Sequence, residues 1–376
     1  MEYKPKRTKD IGIELARIIA CFIVIGVHVA LNDMESGTYS LSRGLINCFF
    51  ADGVSVFWLI TGCFLFKTKK YYKLLVGTAK KIAFPIAMLQ VFCLHFSAFL
   101  ECGGDFVKSL NYAFGMYGSK LKDALSLQPT IPATGHLWYC YTYIIVMLAF
   151  PLISAFVSWV DKKDIREKVF CIVTLIIFAV NDVSFNGLLH FSNQGLNAFI
   201  PAVVQIIWGH IIYKNKEKLY KLQNKKILVL FCGIGMGVLN FIRMYIVNVT
   251  GDKSIMYWYT LIGLLCSISI LVVCMIMSGK VTAKGQVHDI ILELASHTFE
   301  IYLIHILIRM ILSKFGLNHI LFKITSSIRM KFVGELIYTV LFIICVFGIS
   351  LCIIKITHLV IKRIPRGQRK LQTDKH

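Results

Sequence analysis

Acidic side chains are scarce in this sequence. Twenty Asp and Glu stand against 41 Lys and Arg, and charged residues of both signs reach only 16%, where a soluble domain carries about a quarter. That shortage argues against an ordinary water-facing surface, and with 57% hydrophobic residues the composition is that of a membrane protein. No CxxC pair occurs among the 12 cysteines, which lie singly and mostly inside apolar runs, as at Cys21, Cys63, Cys93 and Cys274. They read as small buried apolar residues, and no disulfide is expected, Cys102 having no loop partner. No repeat of fixed period, no low-complexity tract and no appended soluble domain is found in the 376 residues.

The net charge of +21 would suit a nucleic-acid partner, but basic residues on a polytopic protein collect in cytoplasmic loops and orient the helices. No nucleic acid is expected. The basic N-terminus, MEYKPKRTKD, leads into about twenty apolar residues without a small-residue cleavage site and reads as an uncleaved signal anchor.

Apolar runs of spanning length lie near residues 11–31, 44–66, 82–100, 135–157, 168–185, 195–213, 226–248, 255–278, 289–312 and 333–358. The expected fold class is therefore all-α, a polytopic membrane protein of about ten transmembrane helices. The fifth and sixth runs are the least regular, being interrupted by NDVSFNGLLHFSNQG. Of the 41 Lys and Arg, 28 fall on one side of this arrangement and 9 on the other, four of the latter in the loop 313–331. The bias places both termini in the cytoplasm. The expected organisation is a basic N-terminus at 1–10, one membrane domain at 11–358 and a basic tail at 359–376.

A charged group inside a span costs a few kcal/mol and normally faces the bundle interior with a partner. The first span, ELARIIACFIVIGVHVAL, carries Arg17 and His28. Eleven residues advance a helix by roughly three turns plus 20°, so the two side chains share a stripe about 16 Å long. Glu14, three residues before Arg17, is at ion-pair spacing. Arg17 is thus either an interfacial residue with a local partner or a ligand-binding cation. His28 is either a packing residue or a group that takes and returns a proton near neutral pH.

His136 opens the fourth span in GHLWYCY and His305 lies in the outer half of the ninth in FEIYLIHILI, so three histidines converge on one membrane level. No HExxH or comparable spacing accompanies them, and no metal is expected. Glu300 and Tyr302 precede His305. Aromatic residues after His136 suit an interfacial belt, from which Trp138 is assigned to the site. In ADGVSVFWLITGCFLFK the small residues Ser55, Thr61 and Gly62 let helices approach closely. Asp52 there is either a proton partner or an interfacial residue, and Phe57 excludes a GxSxG elbow. The loop KTKKYYKLLVGTAKKIAFP follows, where Lys80 and Lys81 form a basic pair able to hold phosphates.

Together these stretches resemble the acyltransferase 3 family, integral membrane enzymes that O-acetylate bacterial cell-surface glycans. The resemblance covers nearly the whole chain. Arg17 and His28 fit the family's R-x10-H signature, GHLWYCYTYIIVMLAFPLI is similar to its HLWYL segment, VSVFWLITGCFLF to its segment ending in Ser-Gly, and TFEIYLIHILI to its YLIH segment. Departures are the adjacent Lys80 and Lys81 in place of an RxxR pair, Thr61 for serine and Glu14 for aspartate. No esterase-like domain is attached, so acyl hand-over is expected to finish within the membrane domain.

The resemblance implies a bacterial plasma-membrane O-acetyltransferase with cytoplasmic acetyl-CoA, or another short acyl-CoA, as donor and a surface polysaccharide or lipid-linked glycan as acceptor. It implies that Arg17 helps hold the anionic donor, with His28 as general base or acyl carrier, and that His136, His305 and Tyr302 orient the acceptor hydroxyl or stabilise an oxyanion. Secondary transport, or supply of an amino acid as in related membrane domains, is the competing expectation. The absence of an internal repeat and of matching broken helices speaks against transport.

Overall fold

The computed structural model describes residues 10–35, 41–68, 70–125, 130–183, 191–192, 195–251, 254–278 and 285–363. Most of the expected terminal segments, 1–10 and 359–376, lies outside the described residues, as does much of the interruption at 181–195. Among the described residues the chain is helical and has no strand. The α-helices are α1 (Ile11–Glu35), α2 (Leu41–Phe49), α3 (Gly53–Leu65), α4 (Tyr71–Thr78), α5 (Phe84–Glu101), α6 (Phe106–Leu125), α7 (Trp138–Leu148) and α8 (Phe150–Val160). They continue as α9 (Asp164–Val183), α10 (Phe199–Lys214), α11 (Lys216–Tyr220), α12 (Lys225–Thr250), α13 (Leu261–Ser278), α14 (Gln286–Lys314), α15 (Leu317–Thr325) and α16 (Lys331–Arg363).

Seven segments among the described residues are long and apolar enough to cross a membrane: α1, α2 with α3, α4 through α5, α12, α13, α14 and α16. α7 with α8, bent by 70°, makes an eighth when the pair is counted as one span. The bend follows from Pro151, which offers no N–H to the Met147 carbonyl and pushes it aside. The fifth and sixth expected spans correspond to α9 and α10 but stand apart from this set. The first turns of α9 carry Asp164, Arg166, Glu167 and Lys168. The 16 residues of α10 rise only about 24 Å, less than the bilayer core of about 30 Å.

Two expected loops are partly helical. Residues 101–133 include the 20-residue α6, which packs Ala113, Met116 and Tyr117 on Cys93, Leu94 and Ala98 of α5. The expected cytoplasmic loop 67–81 contains α4 and a π-helical turn, Ala79–Ala83, that runs without a break into α5. Pro85 accounts for the wide turn: its ring crowds the Lys81 carbonyl and supplies no hydrogen bond to it, so the ladder shifts to i→i−5, as in Phe84 N–H to the Ala79 carbonyl.

The largest buried cluster joins α3, α7 and α10, as through Trp58, Cys140 and Ile206, and α1 packs into two others. Ile13, Ala16 and Ala20 pack with Val56 and Leu59 of α3 and Leu271 of α13, while Ile25 and Val29 pack with Ile301 of α14 and Val346 of α16. α3 and α10 meet through glycine. A Cβ added at Gly62 would lie 1.8 Å from the Ile206 carbonyl oxygen, and one added at Gly209 would lie 1.9 Å from that of Leu59. Backbone thus rests on backbone, a contact that only small residues permit in a membrane bundle.

Candidate active site

Three elements bring the histidines together. His28 comes from α1, His136 from the 3-10 turn Gly135–Leu137 that starts α7, and His305 from α14. Ring centroids are 4.7 Å apart for His136 and His305, 5.3 Å for His28 and His305, and 6.2 Å for His28 and His136. Tyr302, one turn before His305, packs 5.3 Å from His136.

Hydrogen bonds to carbonyls fix two of the rings. A carbonyl only accepts, so His136 donates from Nε2 to Leu303 (3.2 Å) and His305 donates from Nδ1 to Tyr302 (2.6 Å). In the neutral imidazoles, Nδ1 of His136 and Nε2 of His305 then carry lone pairs. Both atoms are buried and have no hydrogen-bond partner among the described residues. Buried polar atoms are nearly always paired, with protein or with water, so both lone pairs are placed to accept a hydrogen bond. The Tyr302 hydroxyl is already committed, donating to the His136 carbonyl at 2.5 Å. Arg309 donates to the His28 carbonyl (3.2 Å), tying α14 to α1 beside the cluster.

A cavity of about 380 Å³ lies on the other side of Tyr302, lined by Arg17, Phe57, Thr61, Tyr139, Thr298 and Tyr302 among others. Tyr302 therefore borders both the cavity and the histidines. Arg17 is partly exposed, bonded at 2.7 Å to buried Glu14. A second cavity of about 320 Å³ adjoins the first, sharing Thr68, Leu74, Ile82 and Tyr143, and is lined by Lys73 and Lys81. Lys80 and Lys81 both sit in the π turn and both are exposed, but Lys81 lines this space and Lys80 lines neither cavity.

His28, His136, Tyr302 and His305 thus stand together, with Arg17 and Lys81 along the adjoining cavities and Glu14 bonded to Arg17. Trp138 stacks on Trp258 at 5.5 Å and meets Tyr139 edge-on at 6.4 Å, one residue away from the cavity wall. Asp52 stands apart from the histidines. It forms a bidentate pair with Arg243, at 3.0 and 3.1 Å, and both side chains are buried. Arg243 also donates to the Cys48 carbonyl and to Asn240. That pair joins the start of α3 to α12. No motif in the sequence marks Tyr139, Thr298 or Arg309 as a site residue. Arg309 had a signal, since it is an intramembrane cation one turn beyond His305; Tyr139 and Thr298 had none beyond their neighbours.

Residues 10–355 match the model of the acyltransferase 3 family, described as an acyltransferase domain. No curated protein and no solved structure matches the chain.

Proposed function

Since the chain belongs to the acyltransferase 3 family, we propose that it transfers a short acyl group, acetyl, from cytoplasmic acyl-CoA to a hydroxyl of an extracytoplasmic cell-surface glycan. The observation that carries this reading is the path from Lys73 and Lys81 through the adjoining cavities, past Arg17, to Tyr302 with the histidines behind it. With both termini in the cytoplasm, as the loop charges indicate, the lysines lie at the cytoplasmic end. Their charges suit the donor's phosphates, and Arg17 adds a cation farther along. The aromatic and aliphatic walls suit the pantetheine arm, which brings the thioester to Tyr302.

The acceptor hydroxyl approaches the histidine cluster from the opposite side. Its oxygen attacks the thioester carbonyl, His28 takes the hydroxyl proton, the C–S bond breaks, and the proton leaves with the CoA thiolate. Acyl transfer through His28 itself is the covalent variant of the same step. His136 Nδ1 and His305 Nε2 are acceptors in their neutral forms, so they are assigned to orienting the hydroxyl. Oxyanion stabilisation requires a donor, and the Tyr302 hydroxyl proton is occupied by the His136 carbonyl.

Membrane vesicles supplied with acetyl-labelled acetyl-CoA test the proposal. Label is expected on surface glycan with wild-type protein and at background with His28→Ala. Equal labelling by both proteins, or none by wild type with native acceptor present, overturns it.

A further inference from the structure

A second group of coordinating side chains lies on α14, away from the cavity. His297 Nδ1 is 2.9 Å from Glu300 Oε2, and His358 of α16 places Nε2 3.0 Å from Glu300 Oε1. The two imidazoles lie with ring centroids 5.5 Å apart. One ligand atom from each of the three residues lies within 4.8 Å of the other two, and no other trio of His, Cys, Asp or Glu meets that condition among the described residues.

We propose that His297, Glu300 and His358 hold one divalent transition-metal ion of the zinc type, which clamps α14 to α16. Two imidazoles and one carboxylate are a zinc donor set. Bonds of about 2.0–2.2 Å in a tetrahedron place ligand atoms about 3.3–3.6 Å apart; the two imidazole–carboxylate separations here are 2.9 and 3.0 Å, each to a different Glu300 oxygen, and the three ligand atoms lie within 4.8 Å of one another. Both imidazoles reach that geometry by turning from their separate Glu300 oxygens toward one shared point. Both rings must turn their lone pairs to the metal, so His297 carries its proton on Nε2 and His358 on Nδ1 in the bound form.

All three side chains are partly exposed, which leaves a fourth position open to solvent. Three protein ligands hold zinc less tightly than a closed set of four, so occupancy follows the free metal concentration. Lys355 neutralises the nearby Glu293 at 2.6 Å, a second link between α14 and α16 that leaves Glu300 as the carboxylate for the metal. None of His297, Glu300 and His358 lines either cavity; at 100° per residue Glu300 lies about 140–160° around α14 from Thr298, Tyr302 and His305, and His297 about 80–140°. A bound metal therefore fixes the helix that supplies the cavity wall without entering the cavity.

The test uses the full-length protein in detergent, stripped with a chelator and titrated with Zn²⁺ alone. Wild type is expected to retain one zinc per chain after desalting, measured by mass spectrometry, and to melt at a higher temperature with zinc than without. Cobalt in place of zinc is expected to give the intense visible bands of a tetrahedral site. His358→Ala and Glu300→Gln are each expected to lower zinc affinity by about tenfold or more, while His305→Ala keeps it. Glu300→Gln retains the shape and polarity of the side chain, so it decides the matter if His358→Ala does not fold. No zinc on wild type, undiminished binding by Glu300→Gln, or loss of zinc through His305→Ala alone overturns the proposal.

Discussion

The Tyr302 hydroxyl donates to the backbone carbonyl of His136 across 166 residues of sequence, and the Tyr302 carbonyl in turn accepts from the His305 ring. One residue thus sets the backbone under one histidine and the tautomer of another. Replacement of Tyr302 by Phe keeps the ring and leaves a buried carbonyl unpaired, at a cost of about 1–3 kcal/mol. The expected result is a drop in kcat of about tenfold or more with little change in KM for acyl-CoA. A change confined to KM would show that the hydroxyl serves donor binding instead.

His28 and Arg17 are expected to fail differently. His28→Ala removes the base and lowers kcat by about 10²- to 10⁴-fold. Arg17→Ala removes a cation from the cavity wall and raises KM for the donor. Glycan-labelling kinetics against acyl-CoA concentration separate the two, and identical defects would contradict the division of roles.

Lys80 and Lys81 are neighbours with unequal positions. Lys81→Ala is expected to weaken donor affinity, and the defect to shrink as salt screens the remaining attraction. Lys80→Ala, at a residue that lines neither cavity, leaves affinity near wild type. Binding of a non-hydrolysable acyl-CoA analogue at two ionic strengths measures both.

The Asp52–Arg243 pair is expected to matter for folding. Asp52→Ala strands a buried guanidinium and costs about 3–5 kcal/mol, whereas replacing both residues with apolar ones recovers much of the loss. Melting temperatures in detergent report the single and double variants. Equal melting temperatures for wild type and Asp52→Ala would remove the pair from the stability account.

Gly62→Ala introduces a methyl at 1.8 Å from the Ile206 carbonyl oxygen, so α3 and α10 must separate. A loss of about 1–3 kcal/mol is expected, typical of overpacking. Gly77→Ala, with open space around it, is the control and leaves the melting temperature unchanged.

Much of the site was legible because lipid makes polar residues conspicuous. Arg17, His28, His136 and His305 stand out in apolar runs, and the loop charges put the three histidines at one depth. Tyr302 was legible through its spacing from His305. Partnership across distant helices was not: nothing local to Asp52 points to Arg243, 191 residues away. Tyr139 was one of several aromatic residues that equally suited an interfacial belt. α6 was hidden for a different reason. Its Gly, Lys and Asp residues lower its hydropathy below that of a span, and its helical face becomes evident only against α5.

The π turn at Ala79–Ala83 works as a phase adjuster in a helix that otherwise runs unbroken from Tyr71 to Glu101. One extra residue in the ladder rotates everything on one side of it by about 100° relative to the other. The helical repeat before the turn and the repeat after it are thereby set independently, so the cavity-facing side of α4 and the lipid-facing side of α5 need not obey one periodicity. A single-residue deletion there would leave every side chain chemically intact and still turn Lys81 to a different bearing, so the identity of that lysine means little without the count of residues around it.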